Sequence, residues 1–240
     1  GAQAMNRRRH PLLDEARPSG YVSMHPFSDY PNRAMTQLEY LVALISIIVG
    51  LGLADLARSL RELVRPDRAV RWHWLPLLWG IVVFLSILQL WWASFKVLRT
   101  EPLGQVLVFL PYLLMFLVLY LACSFALPDS EWESSLSAEE DAPLDLETFY
   151  FSPAHRRWFF GALIALLVLS QIISVSIQVL AEEVPLNLSA QAGTIGFNFG
   201  VAALLYGLIV SDRWWLHALS AVFVFSAVVF SLAFYISPIG

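Results

Sequence analysis

Six blocks of this chain, residues 38–57, 75–93, 106–127, 158–180, 186–210 and 214–236, run for about the 20 residues that a helix needs to cross a bilayer, and they carry almost no charge. Hydrocarbon offers no water to a peptide N–H or C=O, so a crossing segment must satisfy its own backbone, and a helix does so. The expected fold is all-α: a polytopic transmembrane helix bundle of six spans. Only 14% of the residues are charged, against about a quarter in soluble domains, which argues against a water-soluble reading.

The remaining residues divide the chain. Residues 1–34 hold Arg7, Arg8, Arg9, Arg17 and Arg33 with scattered prolines and no apolar period, and read as a disordered tail. Gly1-Ala2-Gln3-Ala4 does not resemble a native start, and Met35 opens the organised part. Residues 35–240 then form one transmembrane domain, interrupted by a single long connection, 128–157. It carries Asp129, Glu131, Glu133, Glu139, Glu140, Asp141, Asp145 and Glu147, and this acidic half is expected to be mobile. Its second half turns aromatic at Phe149-Tyr150-Phe151 and is expected along the membrane surface.

Arginine placement orients the bundle. With the start of the first span outside, the inner connections carry Arg58, Arg61, Arg65, Arg68, Arg71, Arg156, Arg157 and Arg213, and the outer ones only Lys96 and Arg99. This assignment holds if the arginines of the tail do not count. Spans two, four and six all open on Arg-Trp: Arg71-Trp72, Arg157-Trp158 and Arg213-Trp214. Arginine favours the cytoplasmic face and tryptophan the headgroup layer, so all three pairs are expected at the inner surface, with both termini outside.

Polar residues inside a span must face protein or water. In the fifth span Asn187, Gln191, Thr194 and Asn198 cover roughly 60° of the helix circumference, opposite Ala192, Gly196, Gly200 and Ala203. A helix polar on one side and small on the other has little surface for lipid and is expected at the centre. Gln171, Ser174 and Gln178 on the fourth span, with Gln89 on the second, complete a candidate polar cleft open to the outside. The competing reading makes the same amides and hydroxyls interhelical hydrogen-bond glue. On the first span, Ser46, Gly50 and Ala54 form a small face expected to pack against a neighbour. Asp55 is either an intramembrane acid or the partner of Arg58 one turn away.

His73, His155 and His217 fall near the inner ends of three spans. They read as interfacial histidines beside tryptophan anchors, or as ligands for a metal or haem. They lack ligand spacing, and no cysteine or acidic motif accompanies them, so no metal and no cofactor is expected. The lone Cys123 sits inside a span. No metalloprotease helix, nucleophile elbow or phosphate-binding glycine loop is present in the sequence, so no enzyme activity is expected.

The runs MTQLEYLVALISIIVGLGLADL, VRWHWLPLLW and FYFSPAHRRWFFGALIAL resemble a group of uncharacterised bacterial inner-membrane proteins over residues 35 to about 236. That resemblance implies the bacterial inner membrane as location and brings no activity with it. Two functional classes follow. One is a membrane subunit or adaptor whose acidic loop, 128–157, docks a cytoplasmic protein. The other is a transporter- or channel-like protein passing a small neutral polar solute or lipid between spans four and five. The expected partners are the lipid bilayer and that cytoplasmic protein, with no nucleic acid. No repeat relates residues 38–127 to 158–236, which favours the first class.

Overall fold

The structure, a computed structural model, describes residues 37–66, 69–97, 106–128, 143–180 and 188–236. In chain order these form α1 (Gln37–Val64), β1 (Val70–Arg71), α2 (Trp74–Val97), α3 (Val106–Ala126), β2 (Leu144–Asp145), α4 (Leu146–Phe151), α5 (Pro153–Leu180), α6 (Leu188–Val210) and α7 (Trp214–Ile236). Six of these helices are long and apolar enough to cross a membrane, and the fold is the expected all-α bundle of a multi-pass membrane protein. The fourth span starts earlier than its apolar block because Pro153 occupies the first helical position, where a missing N–H costs nothing. Pro111 lies inside α3 and removes one ladder bond there.

Lipid is as apolar as leucine, so nothing expels these helices from it; close packing and polar contacts hold them to one another. α3 lies along both α1 and α5, α2 lies along α7 and α3, and α5 lies along α6. α2 and α3 are the most deeply buried of the six spans. Trp79, Val83 and Ile87 form the buried ridge of α2, and Tyr112, Phe116, Leu119 and Cys123 that of α3. Each ridge follows the i, i+3/i+4 spacing of one helix face. The outward faces are equally apolar, with Ile81, Phe84 and Leu88 on α2 and Leu110, Leu114, Leu117 and Leu121 on α3.

Two expectations about packing fail. The small face Ser46, Gly50 and Ala54 of α1 is exposed, and the buried face is Ile45, Ile48, Gly52, Leu56, Ser59 and Leu63. Gly52 is the small residue that matters: a Cβ there would stand 3.2 Å from the Cys123 sulfur and 3.7 Å from the Tyr120 Cα. The fifth span, α6, is an edge helix. Ala192, Gly196, Gly200 and Ala203 are exposed, and a Cβ at Gly193, Gly196 or Gly200 would meet nothing within 4 Å. A small-residue face permits close approach without requiring it. The centre is taken instead by the large side chains Trp79, Phe116, Phe159 and Phe160, which fill interior volume that glycines leave empty.

The Arg-Trp pairs gather at one end of the bundle, as expected. Trp74 and Trp214 meet edge to face at 6.4 Å, and Trp158 lies 6.4 Å from Phe125 at the end of α3. Trp72, Trp158, Trp214 and Trp215 are exposed there.

Candidate functional site

At that end the connection between α3 and α5 returns into the bundle. β2 pairs with β1 in parallel, Val70 opposite Leu144 and Arg71 opposite Asp145. Leu144 N–H donates to Ala69 O at 3.0 Å. Across the ladder Arg71 Nη1 reaches Asp145 Oδ2 at 3.3 Å. The same aspartate caps α4, its Oδ1 accepting from Glu147 N at 2.9 Å and Thr148 N at 3.3 Å, which satisfies two of the amides a helix start leaves open. Capping fixes the phase of the single turn that follows. Leu146, Phe149 and Tyr150, at i, i+3 and i+4, point inward and are buried, while Glu147 and Thr148 point out. The aromatic half of the connection thus plugs the bundle end rather than lying along the membrane surface. Burial of three large side chains against protein outweighs spreading them at an interface.

Tyr150 is fully buried and joins three helices. Trp79 Nε1–H on α2 donates to its hydroxyl at 3.0 Å. The hydroxyl lies 2.9 Å from His217 Nδ1 on α7, and His217 Nε2 lies 2.8 Å from Ser211 O. A carbonyl only accepts, so Nε2 carries the proton. Nδ1 of the neutral ring is then an acceptor, and the Tyr150 hydroxyl gives it its proton while receiving that of Trp79. Every member of the chain is satisfied in this one arrangement. Burial pushes the Tyr150 phenol above its ordinary value, and the Trp79 hydrogen bond opposes that in part. Phe159 and Phe160 meet the Trp79 ring edge to face at 5.7 and 5.2 Å. His155 stacks on Phe159 at 5.2 Å.

Arg156 closes the site. Its Nη1 donates to Ser211 O at 2.8 Å and pairs with Asp212. The Ser211 carbonyl, just past the end of α6, therefore receives both Arg156 and His217. Ser152 links the plug to α5: its Oγ accepts from His155 N at 3.3 Å, and its carbonyl accepts from Arg156 N at 3.1 Å.

The histidines expected at the interface divide. His155 and His217 are buried among aromatic rings, and His73 is half-buried beside Trp74 and Phe151. Among the described residues no group of three His, Cys, Asp or Glu side chains is placed to hold a metal ion.

The polar residues expected to share one cleft are distributed among several neighbours. Asn198 Nδ2 on α6 donates to Gln171 Oε1 on α5 at 2.9 Å, an interhelical bond between two half-buried amides. Gln89 Nε2 donates to Ser231 Oγ on α7 at 2.7 Å. Gln178 Nε2 donates to Ser174 Oγ one turn back on its own helix at 3.2 Å. Ser174 and Gln178 line a cleft of about 290 Å³ with Ser94, Tyr112 and Ser170, between α5, α2 and α3, away from α6. Thr194 is exposed. Asn187 lies outside the described residues, as does the side chain of Gln191.

Asp55, one turn beyond Gly52, is half-buried and forms no ion pair with Arg58 among the described residues. The i, i+3 pair forms further along α1, where Glu62 meets Arg65 at 3.0 Å and also Arg61 at 3.2 Å.

The plug was not expected from the sequence. Its signals were Asp145 as a cap, three apolar residues at one-turn spacing and Pro153 opening the next helix, all short-range features that a search for bilayer-length blocks passes over. Comparison with protein-family models, with curated proteins and with solved structures finds no match to this chain.

Proposed function

We propose that this chain is a non-catalytic membrane subunit or adaptor of a bacterial inner membrane, holding the acidic connection between α3 and α5 out to a cytoplasmic protein. The observation that carries this reading is the anchorage of the connection's base. Tyr150 is bonded to α2 through Trp79 and to α7 through His217, which gives a segment meant to hold a partner a stiff mount. The Asn198–Gln171 and Gln89–Ser231 bonds support it further, since polar groups spent on one another are glue rather than a solute path. The Arg-Trp pairs at the same end favour a cytoplasmic position for it.

Deleting residues 129–142 tests this reading. The variant should insert and melt like the full chain in detergent, and a protein that co-purifies with the full chain from native membrane should be lost. A partner retained at full yield would remove the adaptor reading. Cysteines replacing Arg157 and Arg213, in a Cys123→Ala background, should react with an impermeant thiol reagent only after the cytoplasmic face is opened.

A second reading, a path for a small neutral polar solute or lipid, draws on the cleft lined by Ser174 and Gln178. It requires Ser174→Cys to react with the impermeant reagent from outside. Protection of that cysteine, with an outer-loop control labelled, excludes it.

A further inference from the structure

Beside the plug lies a cleft of about 510 Å³ lined by Glu147, Thr148, Phe151, Arg156, Asp212 and Trp214. We propose that this cleft binds the headgroup of a zwitterionic aminophospholipid, with the phosphate drawn to Arg156 and the primary ammonium held by Glu147 and Asp212 against the Trp214 ring.

Three observations point there. First, Arg156 is only 6% exposed, and its Nη1 is spent on Ser211 O and Asp212, yet its Nε has no hydrogen-bond partner among the described residues. A guanidinium lining a cleft suits an oxygen-rich anion, which it binds with planar, charge-assisted hydrogen bonds. Second, the cleft carries both signs of charge. Asp212 is mostly exposed at its rim, and Glu147 is exposed and makes no ion pair among the described residues. A purely anionic headgroup would meet both carboxylates. A simple cation would meet Arg156. A molecule with a phosphate at one end and an ammonium at the other meets each group with its complement.

Third, the level of the cleft in the molecule selects a lipid over a soluble zwitterion. Trp214 lines it, and the exposed Trp72, Trp158 and Trp215 mark the same end, the composition of a headgroup-layer belt. Carboxylates accept hydrogen bonds, so a primary ammonium with three donors fits better than a trimethylated one, which has none and gains only the cation–π contact with the indole.

The test uses the purified full chain in detergent, titrated with dihexanoyl phosphatidylethanolamine, phosphatidylcholine and phosphatidylglycerol and followed by its thermal melt. Phosphatidylethanolamine should bind about 10-fold more tightly than phosphatidylglycerol and roughly 5-fold more tightly than phosphatidylcholine, the scale of one or two charge-assisted bonds. Glu147→Gln, at an exposed position, should bring phosphatidylethanolamine to within about twofold of phosphatidylcholine, on the same scale. Equal or tighter binding of phosphatidylglycerol overturns the proposal, as does a preference that Glu147→Gln leaves intact. Soluble phosphoethanolamine binding as tightly as the lipid overturns the assignment to a lipid. If the variant does not fold, the order of the three lipids on the unaltered chain decides.

Discussion

The Tyr150 hydroxyl and His217 Nδ1 lie 2.9 Å apart although 67 residues separate them in the chain. This bond joins a one-turn helix in a connection to the first turn of the last span. Its second link, Trp79 Nε1 to the same hydroxyl, brings in α2. Replacing Tyr150 with Phe leaves the ring packing intact but strands a buried indole N–H and a buried imidazole nitrogen. We expect a loss of about 2–3 kcal/mol, at the cost of one to two unsatisfied buried groups. His217→Ala should cost a similar amount, and the double variant clearly less than the sum, because the two share one bond. Equilibrium unfolding in mixed micelles measures the cycle, and strict additivity would falsify the linkage.

The same tyrosine predicts an alkaline limit. Its phenol is held above the unfolded value of 10.0, chiefly by burial. The folded state therefore keeps a proton that the unfolded state loses. The contribution is fully present below about pH 10 and falls as pH rises from there toward the folded value. In a pH series of thermal melts, stability should drop above pH 10, with a shallower drop for Tyr150→Phe. An identical drop in both proteins would mean that other groups cause it.

Asn198 and Gln171 offer a test of glue in the bilayer interior. Either residue changed to Leu should cost about 0.6–2 kcal/mol, the range for interhelical bonds in membranes. Changing both should cost little more than one, since no amide is then left unpaired. If the double variant is far worse than either single, the two amides have partners besides each other.

Two glycines should respond in opposite ways. A side chain at Gly52 collides with α3, as its Cβ alone reaches 3.2 Å from the Cys123 sulfur. Gly52→Val should cost about 1–3 kcal/mol as α1 is forced outward. At Gly196 the same change meets open space and should leave the melting temperature nearly unchanged. A large loss at Gly196 would mean that α6 has a close neighbour in the membrane.

Much of the scaffold was legible from the residues. The spans at 75–93, 106–127 and 214–236 come within a few residues of α2, α3 and α7, because hydrocarbon enforces internal hydrogen bonding over any block long enough to cross. The shared end of Arg71-Trp72, Arg157-Trp158 and Arg213-Trp214 was legible for a related reason: charge and indole seek the interface whatever the packing. The candidate site was far less so. Gln171 and Asn198, expected in one cleft, bond to each other, but Gln89 meets Ser231 rather than the α5 stripe, and Asp55 pairs with no arginine among the described residues.

What the sequence determined by itself is how many spans there are, where they lie along the chain and which of their ends share a surface, since those follow from each segment's exchange with lipid and water. Tertiary structure alone decided which face of each helix meets which neighbour, why glycine-rich α6 lies at the edge and α2 at the centre, and that Tyr150 enters the bundle. In a bilayer both faces of a span are apolar, so no pattern of hydrophobicity separates the side that meets protein from the side that meets lipid. Only the fit of particular side chains, Trp79 against Phe160 or Gly52 against Cys123, makes that distinction.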